Sequence, residues 1–430
     1  MTRPRPSPAF LASAFVLFAI NSLNYYDRQV AGALTEPIRR EFQLTDTQIG
    51  LLTTAFIWIY AIVGVPLGVL ADRWGRKRVL AIGLFVWSSL TAAAGLTRNF
   101  GSLLASRMGV GVGEAACAPA ATSWLAELCP EELRTRALAI FMLGIPIGGA
   151  LSFLFSGAIA QAYGWRMAMM LAAAPALVLL PALVLLPEPV RRNRADVAIR
   201  GLGRFLRLPT FWWIVLSGAL FNFNGYVVGF FTPAFFGRTH QLPLRGATTA
   251  MAGVYLIGGI CGALGGGALG DRLVQIRRDA RMVLASGFAL LAAPAAFLGF
   301  SLPAGHFWEA FLLIAAAYGF MTPYFGLVYA SLQDIVAPEL RATAMAVYLL
   351  GMYVMGGSMG PLAIGMLSDH YAKSAAHAMG AAGMNEISRA VGLQRALEWL
   401  PAIFLLQALV LYLGSRSIGR DIDRRRLENS

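Results

Sequence analysis

Long runs of apolar residues recur along the whole chain, and short polar segments separate them. A helix needs about 20 mostly apolar residues to cross the hydrocarbon core of a bilayer. Lipid forces each such run to be helical, because unpaired backbone groups there cost several kcal/mol. The pattern predicts twelve membrane-spanning helices, at residues 9–33, 46–70, 79–97, 101–127, 134–160, 165–187, 210–236, 246–270, 281–301, 306–332, 341–367 and 393–415.

The composition supports a chain solvated by lipid. Of its 430 residues, 57% are hydrophobic and only 13% are charged, whereas about a quarter of a soluble protein is charged. A signal peptide followed by a soluble domain is excluded because the apolar runs recur to the end, so we expect the first helix to be retained. Cys117, Cys129 and Cys261 are few and odd in number, and predict neither a disulfide framework nor a zinc site.

The basic residues indicate how the helices are oriented. The formal net charge is +13, and such a charge can indicate nucleic-acid binding. Here, however, arginines concentrate in alternate loops, including 73–78 and six positions between Arg191 and Arg207. The opposite side holds fewer, among them Arg39, Arg166 and Arg238. This bias predicts a multi-pass protein of the bacterial inner membrane with both termini in the cytoplasm.

The two halves of the chain repeat each other. Residues 68–73 (GVLADR) match 267–272 (GALGDR), and 133–144 (LRTRALAIFMLG) match 340–351 (LRATAMAVYLLG). Each pair occupies the same place in its half, which indicates a duplicated six-helix unit. We therefore predict an N-terminal six-helix bundle at 1–187, a cytoplasmic linker at 188–209 and a C-terminal six-helix bundle at 210–430.

The loop after the second predicted helix, 68–78 (GVLADRWGRKR), resembles the hallmark segment of the major facilitator superfamily. A carboxylate such as Asp72 can lie against the positive end of another helix, which favours a cytoplasmic gate. The alternative is that the arginines only set the topology. The residues of the predicted gate are Gly68, Asp72, Arg73, Gly75, Arg76 and Arg78, with Asp271 and Arg272 in the second half.

Ionisable residues lie inside two helices of the first half. By helical spacing, one face of the first helix carries Asn21, Asn24, Asp27 and Arg28. In the fourth helix, Arg107 and Glu114 are seven residues apart, so they share a face and are separated by about 10 Å of rise. Charges inside a membrane span are costly unless they are paired, and by default they indicate a functional site.

We predict that Arg28 pairs with Glu114 and that Asp27 lies near Arg107. Movement that breaks such a pair can take up or release a proton, and an arginine without its carboxylate can bind an anionic head group. These residues, with Asn21 and Asn24, are the candidate site for substrate binding and proton coupling. A purely structural ion pair is the alternative, and either Asp27 or Glu114 could hold the proton.

Two segments resemble the spinster-type transporters of the major facilitator superfamily. They are 24–28 (NYYDR) and 107–115 (RMGVGVGEA). The resemblance implies the major facilitator fold, an all-α membrane protein with two pseudo-symmetric six-helix bundles. It also implies proton-coupled transport, by alternating access, of an amphiphilic substrate similar to a lysolipid or sphingolipid. Related sequences occur in organic-anion symporters, so a carboxylate:proton symporter and a multidrug exporter remain alternatives.

The second half has few charges in its helices but several aromatic residues. We predict that some of them form an apolar wall for a lipid tail: Phe221, Phe223, Tyr324 and Tyr348. The glycines at 109, 111 and 113 follow no strand, so they are not a dinucleotide-binding loop. Gly109 and Gly113, like the pairs 144/148 and 356/360, are predicted to let helices approach closely.

Other classes of protein fit the sequence less well. A membrane enzyme acting on lipids would need a nucleophile elbow, a metal cluster or paired catalytic carboxylates, and the sequence offers none. A channel or receptor does not explain the duplication and the intramembrane charges. The prediction is a non-enzymatic, monomeric transporter without cofactor or metal. Its partners are a small amphiphilic or organic-anion substrate, protons and the bilayer, with no nucleic acid.

Overall fold

The computed structural model describes residues 8–128, 140–187, 205–262, 279–337 and 340–428, with isolated positions 265, 269, 272 and 277 between them. Regular structure in these residues is helical. The first half contains α1 (Pro8–Ala33), α2 (Thr35–Phe42), α3 (Asp46–Trp74), α4 (Arg76–Ala94), α5 (Phe100–Glu114), α6 (Cys117–Leu128), α7 (Gly144–Tyr163), α8 (Trp165–Ala172) and α9 (Ala176–Leu185).

The second half begins with a 30-residue helix. Its helices are α10 (Pro209–Arg238), α11 (Leu244–Gly253), α12 (Ala280–Ser301), α13 (Phe307–Met321), α14 (Tyr324–Ile335), α15 (Arg341–Gly351), α16 (Met359–Ala378), α17 (Glu386–Leu397) and α18 (Leu400–Glu428). Two π-helical turns, Val254–Gly258 and Met352–Gly357, follow α11 and α15 directly. Such turns widen a helix locally and recur at functional positions.

Ten helical stretches of the described residues are long and apolar enough to cross a membrane. Each coincides with one of the twelve predicted spans. The other two predictions, 9–33 and 101–127, fall on α1 and on α5 followed by α6. These are the helices that carry Asp27, Arg28, Arg107 and Glu114, and the span 101–127 is divided into helices of 15 and 12 residues.

Several predicted spans are interrupted, and four of the breaks lie at or shortly before a proline. Helix α6 begins two residues before Pro119, α9 follows Pro175, α14 follows Pro323, and α18 has Pro401 in its first turn. Proline lacks a backbone N–H and its ring clashes with the carbonyl four residues earlier, which favours a break. Helices α3, α10 and α12 nevertheless continue through Pro66, Pro233 and Pro294. Helix α2, in contrast, lies where the sequence predicted only a loop.

The chain divides into two compact units. One comprises residues 1–44, 51–193 and 243–252, and the other comprises 45–50, 194–242 and 253–430. The predicted linker at 188–209 and the bundle boundaries beside it stay predictions, because residues 188–204 lie outside the part of the chain that is described.

In the first unit, glycines bring pairs of helices into backbone contact. A Cβ atom at Gly148 of α7 would collide with the Ser22 carbonyl of α1. A Cβ at Gly113 of α5 would lie 2.8 Å from the Trp87 nitrogen and 2.9 Å from the Gly83 oxygen of α4. Real Cβ contacts are not this short, so only glycine permits these approaches. The predicted packing role of Gly113 and Gly148 is confirmed.

The second unit repeats this arrangement with its own glycines. A Cβ at Gly356 would collide with the Ala219 carbonyl of α10, and one at Gly360 would lie 2.7 Å from the Phe223 carbonyl. The contact of the π turn and α16 with α10 thus corresponds to the contact of α7 with α1. The predicted role of the glycines at 356 and 360 is confirmed.

A buried cluster of polar residues in the second unit holds the first turn of α3. The Arg238 guanidinium donates two hydrogen bonds, of 2.7 and 2.8 Å, to the Asp46 carboxylate. Ser368 Oγ donates to the same carboxylate at 2.7 Å. The Asp369 carboxylate accepts from the backbone nitrogens of Asp46 and Thr47 at 3.0 and 2.8 Å. These bonds satisfy donors that a helix start leaves unpaired.

Candidate functional site

The predicted pair between α1 and α5 is present. Arg28 Nε donates to Glu114 Oε2 at 2.9 Å, and the two side chains are 3% and 0% exposed. Removing two charges from water is expensive, and only close pairing with good hydrogen bonds offsets it. The ion pair therefore fixes the position of α1 relative to α5 inside the first unit.

Aromatic rings surround the Arg28 guanidinium. Its central carbon lies 4.2 Å from the ring centre of Tyr60, 4.9 Å from that of Tyr25 and 5.8 Å from that of Phe56. The negative face of an aromatic ring attracts a cation, and the attraction grows when water is excluded. Cation–π contacts with rings of α1 and α3 thus stabilise the Arg28 guanidinium in addition to its ion pair with Glu114.

Arg107 lies beside Asp27, but it contacts the main chain. Its Nη2 donates to the Asp27 carbonyl oxygen at 3.4 Å, and its guanidinium lies 5.2 Å from the Phe56 ring centre. Within the described residues, no ion pair joins Arg107 to the Asp27 carboxylate. The predicted proximity is therefore confirmed, whereas a direct carboxylate–guanidinium contact is not found.

Both carboxylate oxygens of Asp27 are buried and have no hydrogen-bond partner among the described residues. The side chains of Trp87 and Thr91 on α4 face this carboxylate, but neither forms a hydrogen bond of normal geometry with it. Neither residue was predicted from the sequence. An indole and a hydroxyl within an apolar helix resemble ordinary packing, and the signal that could have found them is their spacing of four residues.

The two asparagines of the predicted stripe take different positions. Asn21 Nδ2 donates to the Phe141 carbonyl at 2.7 Å, so this side chain links α1 to the segment that precedes α7. Asn24 is buried and faces the Glu114 carboxyl. The structure therefore brings Asn24, Asp27, Arg28, Arg107 and Glu114 together, while Asn21 lies farther along α1.

The site balances its formal charges. Two arginines and two carboxylates meet inside the first unit, and all four are buried. Their hydrogen bonding is incomplete, since Glu114 Oε1 and Arg107 Nη1 also lack partners within the described part of the chain. A polar group that is buried without a partner costs about 1–3 kcal/mol. A cluster of such groups is suited to binding a proton or a ligand that supplies the missing contacts.

The residues of the predicted gate are described only in part. Gly75 has a φ of 105°, which favours glycine and permits the tight turn between α3 and α4. Arg73, Arg78 and Arg272 are exposed, and Arg76 opens α4. The Asp72 side chain and the whole of Asp271 lie outside the described residues. The gate role of this motif, Gly68 included, stays a prediction.

Three of the four predicted wall residues are packed inside the second unit. The Phe221 ring stacks on Tyr324 with centres 4.3 Å apart. The Tyr324 hydroxyl is bonded to Ser217 Oγ at 2.8 Å and accepts from the Tyr348 hydroxyl at 3.2 Å. Phe223 is only partly buried. Their predicted role as a wall for a lipid tail is not tested by these contacts and stays a prediction.

Comparison with known proteins identifies the family and the fold of this chain. Residues 17–361 match the model of the Major Facilitator Superfamily. An "MFS-type efflux pump" of Mycolicibacterium smegmatis is 34% identical, and the alignment covers 96% of this chain and 94% of that protein. "Protein spinster homolog 1" of Mus musculus is 30% identical, with 84% and 73% covered. A protein named "Sphingosine-1-phosphate transporter SPNS2" in Xenopus tropicalis is 26% identical, with 84% and 74% covered.

Solved structures of transporters share the fold of this chain. A bacterial homologue of the human lysosomal transporter spinster, in an inward-facing and unoccupied conformation, superposes with a TM-score of 0.86 at 26% identity. The match covers 97% of this chain and 99% of that one. A D-xylose–proton symporter shares the fold, with a TM-score of 0.69 at 18% identity and coverage of 91% and 97%.

The fold and the family model define a multi-pass membrane transporter, not an enzyme. The chain belongs to the Major Facilitator Superfamily and, within it, to the spinster-like transporters. The predicted fold class and the resemblance noted from the sequence are both confirmed.

Proposed function

We propose that this transporter couples proton movement to the transport of an amphiphilic organic anion, similar to a lysolipid or sphingolipid, by alternating access. The observation that carries the proposal is the buried Arg28–Glu114 pair with the Asp27 carboxylate beside it. Asp27 and Glu114 exchange the proton, Arg28 and Arg107 attract the anionic head group, and Asn21 and Asn24 position α1.

The proposed coupling follows from the need of Arg28 for one negatively charged partner. When Glu114 takes up a proton, Arg28 loses its counter-charge and can accept a phosphate or carboxylate in its place. When the anion leaves, Arg28 again requires a carboxylate, and Glu114 releases its proton to supply one. Proton and anion thus share one arginine, which links their binding without a separate coupling element.

Two further observations support an amphiphilic substrate. The α1–α5 site of the first unit holds four buried charged residues, whereas Phe221, Tyr324 and Tyr348 pack against one another in α10, α14 and α15 of the second unit. Among the relatives, one is named for transport of sphingosine 1-phosphate, which has an anionic head and an apolar tail. We propose inner-membrane localisation with cytoplasmic termini, and a monomer as the working unit.

Export of amphiphilic compounds is the second candidate. It is favoured by the 34% identity, over nearly the whole chain, to a protein named as an efflux pump. The two candidates share the site and differ in the direction of transport and in the range of substrates accepted.

The test is transport by the purified protein in proteoliposomes under an imposed pH gradient. Lysophosphatidic acid, sphingosine 1-phosphate, short carboxylates and a lipophilic cation are offered separately. We expect gradient-dependent transport of the lysolipids and its loss in Glu114→Gln and Asp27→Asn. Glu309→Gln, a change of the same kind at an exposed acid, is the matched control and should transport normally.

Transport that ignores the gradient would refute proton coupling. Transport of carboxylates alone would replace the lysolipid assignment by the carboxylate symporter. Movement of the cation outward, driven by the gradient, would establish the exporter.

A further inference from the structure

Helix α4 presents two hydrogen-bond donors to Asp27. Trp87 and Thr91 are four residues apart and so lie one turn apart on the same face, and both are fully buried. Trp87 Nε1 and Thr91 Oγ1 have no hydrogen-bond partner within the described residues, and the same holds for both oxygens of Asp27. Two donors without acceptors therefore face two acceptors without donors.

The close contact of α4 with α5 places Trp87 there. A Cβ at Gly83 would lie 2.7 Å from the Gly113 oxygen, and one at Gly113 would lie 2.9 Å from Trp87 Cβ. Because the two backbones touch, Trp87 is confined beside the helix that carries Arg107 and Glu114. Its position results from this pair of glycines and not from lipid contact.

The electrostatic surroundings of Asp27 come from charged and titratable groups on two helices. Arg107 and Glu114 face it from α5, and Tyr26 lies next to it on α1. From α4, the neutral donors Trp87 and Thr91 interact with it. The hydrogen bonding of Asp27 is thus left to Trp87 and Thr91, while its electrostatic surroundings come from α5 and α1.

The two donors differ in what they can do. An indole N–H can only donate, so it favours the ionised carboxylate. A threonine hydroxyl can donate to the ionised form and accept from the protonated one. Both donors bond the ionised carboxylate more strongly than the protonated one, and the hydroxyl can in addition accept from the protonated form. Such a pair of donors suits a group that must gain and lose a proton.

We propose that Trp87 and Thr91 are positioning residues for Asp27, which bond its carboxylate when it is ionised and thereby set the pH at which it exchanges a proton. The proposal rests on the proposed function, in which Asp27 is a proton carrier. It extends that function to a helix to which neither the sequence nor the relatives' names assign a role.

Infrared difference spectroscopy of the purified protein tests the proposal without any substrate. The C=O band of the protonated Asp27 carboxyl is identified by its loss in Asp27→Asn, and its intensity is followed over the pH range in which the protein stays folded. Because Trp87→Phe removes a donor to the ionised form, the band should persist about one pH unit higher. Thr91→Val should move it in the same direction, and Thr91→Ser should restore the wild-type midpoint.

Two matched controls separate positioning from packing. Ser88→Ala removes a buried hydroxyl without a partner from the same helix, and Trp124→Phe removes a buried indole N–H without a partner from α6. The groups that interact with Asp27 include neither Ser88 nor Trp124, so neither variant should move the band. If Trp87→Phe proves too unstable, Thr91→Val with its Thr91→Ser rescue decides the question.

Unchanged midpoints in Trp87→Phe and Thr91→Val would overturn the proposal, and so would an equal shift in Ser88→Ala. The absence of any band that Asp27→Asn removes would also overturn it, because the residues could then position no exchanging proton. Failure of the proposed function would give a different result: Asp27→Asn would still show gradient-driven transport, and this outcome does not depend on the infrared band.

Discussion

Arg28 Nε and Glu114 Oε2 lie 2.9 Å apart between α1 and α5, with both side chains almost completely buried. Aromatic rings cover the guanidinium on the side of α3, and Asn24 faces the carboxyl. The pair therefore acts as a fixed polar joint inside the first unit. Its energetic role and its role in transport can be separated by substitution.

Removing one partner of the pair should cost more than removing both. Arg28→Met leaves Glu114 as a buried charge without its arginine, and breaking a buried pair costs about 3–5 kcal/mol. The double variant Arg28→Met/Glu114→Met replaces both charges by apolar side chains and should recover most of the free energy of unfolding. Thermal unfolding in detergent measures both. We expect neither variant to transport.

A double variant as unstable as the single one would contradict this interpretation. It would mean that the loss of stability in Arg28→Met does not come from the unpaired Glu114 charge, because removing that charge as well would not restore stability.

The contact between α4 and α5 should be sensitive to one methyl group. Gly113→Ala places a Cβ within 2.9 Å of backbone and side-chain atoms of α4, and overpacking of this kind costs about 1–3 kcal/mol. Gly101→Ala in the same helix meets only the Asn99 side chain at 3.5 Å and serves as the control. Unfolding midpoints should fall for Gly113→Ala alone, and equal midpoints would show that the helices can separate freely.

In the second unit, Asp46 should matter more to stability than Asp369. Asp46→Asn deprives the buried Arg238 of this counter-charge, at a cost of about 3–5 kcal/mol. Asp369→Asn keeps one acceptor for the start of α3 and should cost only about 1–2 kcal/mol, as for a weakened helix cap. Thermal unfolding of the two variants decides the order, and a larger loss for Asp369→Asn would show that the cap dominates.

Outside the spans, Glu41 should make stability fall on acidification. Partial burial opposes ionisation of its carboxyl, but hydrogen bonds from Trp165 and Arg166 outweigh this and hold its pKa below the ordinary value. A carboxyl with a lowered pKa stabilises the fold above its unfolded pKa of about 4.3 and ceases to do so as the pH falls through the folded value. Because the pair is partly exposed, the effect should stay below about 1 kcal/mol.

The measurement is the unfolding midpoint as a function of pH for wild type and Glu41→Gln. The two curves should differ near neutral pH and converge at acidic pH. Curves that remain parallel down to the lowest accessible pH would contradict the role given to Glu41.

Much of the fold was predictable because lipid imposes a simple rule. Runs of about 20 apolar residues predicted all ten of the stretches that qualify as spans in the described residues. The interruptions were not predicted, because a hydropathy pattern does not register Pro119 or Pro323. Helix α2 was missed for a related reason: Thr35–Phe42 is short and polar, and nothing in its composition distinguishes it from a loop.

The site was predictable only as far as helical spacing reaches. Helical spacing predicted that Arg28 and Glu114 lie on inward faces of their helices, and the structure contains the predicted pair. Spacing could not show that the Arg107 side chain would bond the carbonyl of Asp27, because a face does not determine a rotamer. The spacing of Trp87 and Thr91 shows only that they share a face of α4, and nothing in the sequence shows that Arg238 is paired. Their roles depend on partners far away in the chain, 60 residues from Trp87 and 192 from Arg238.

The balance of two arginines and two carboxylates has an electrical consequence. A site of zero formal charge that gains one proton and one monovalent anion is neutral again, so neither the empty nor the occupied site is driven by the membrane voltage. Moving a single unbalanced charge through 100 mV involves about 2.3 kcal/mol. The slope of transport rate against voltage would therefore count the protons carried with each anion.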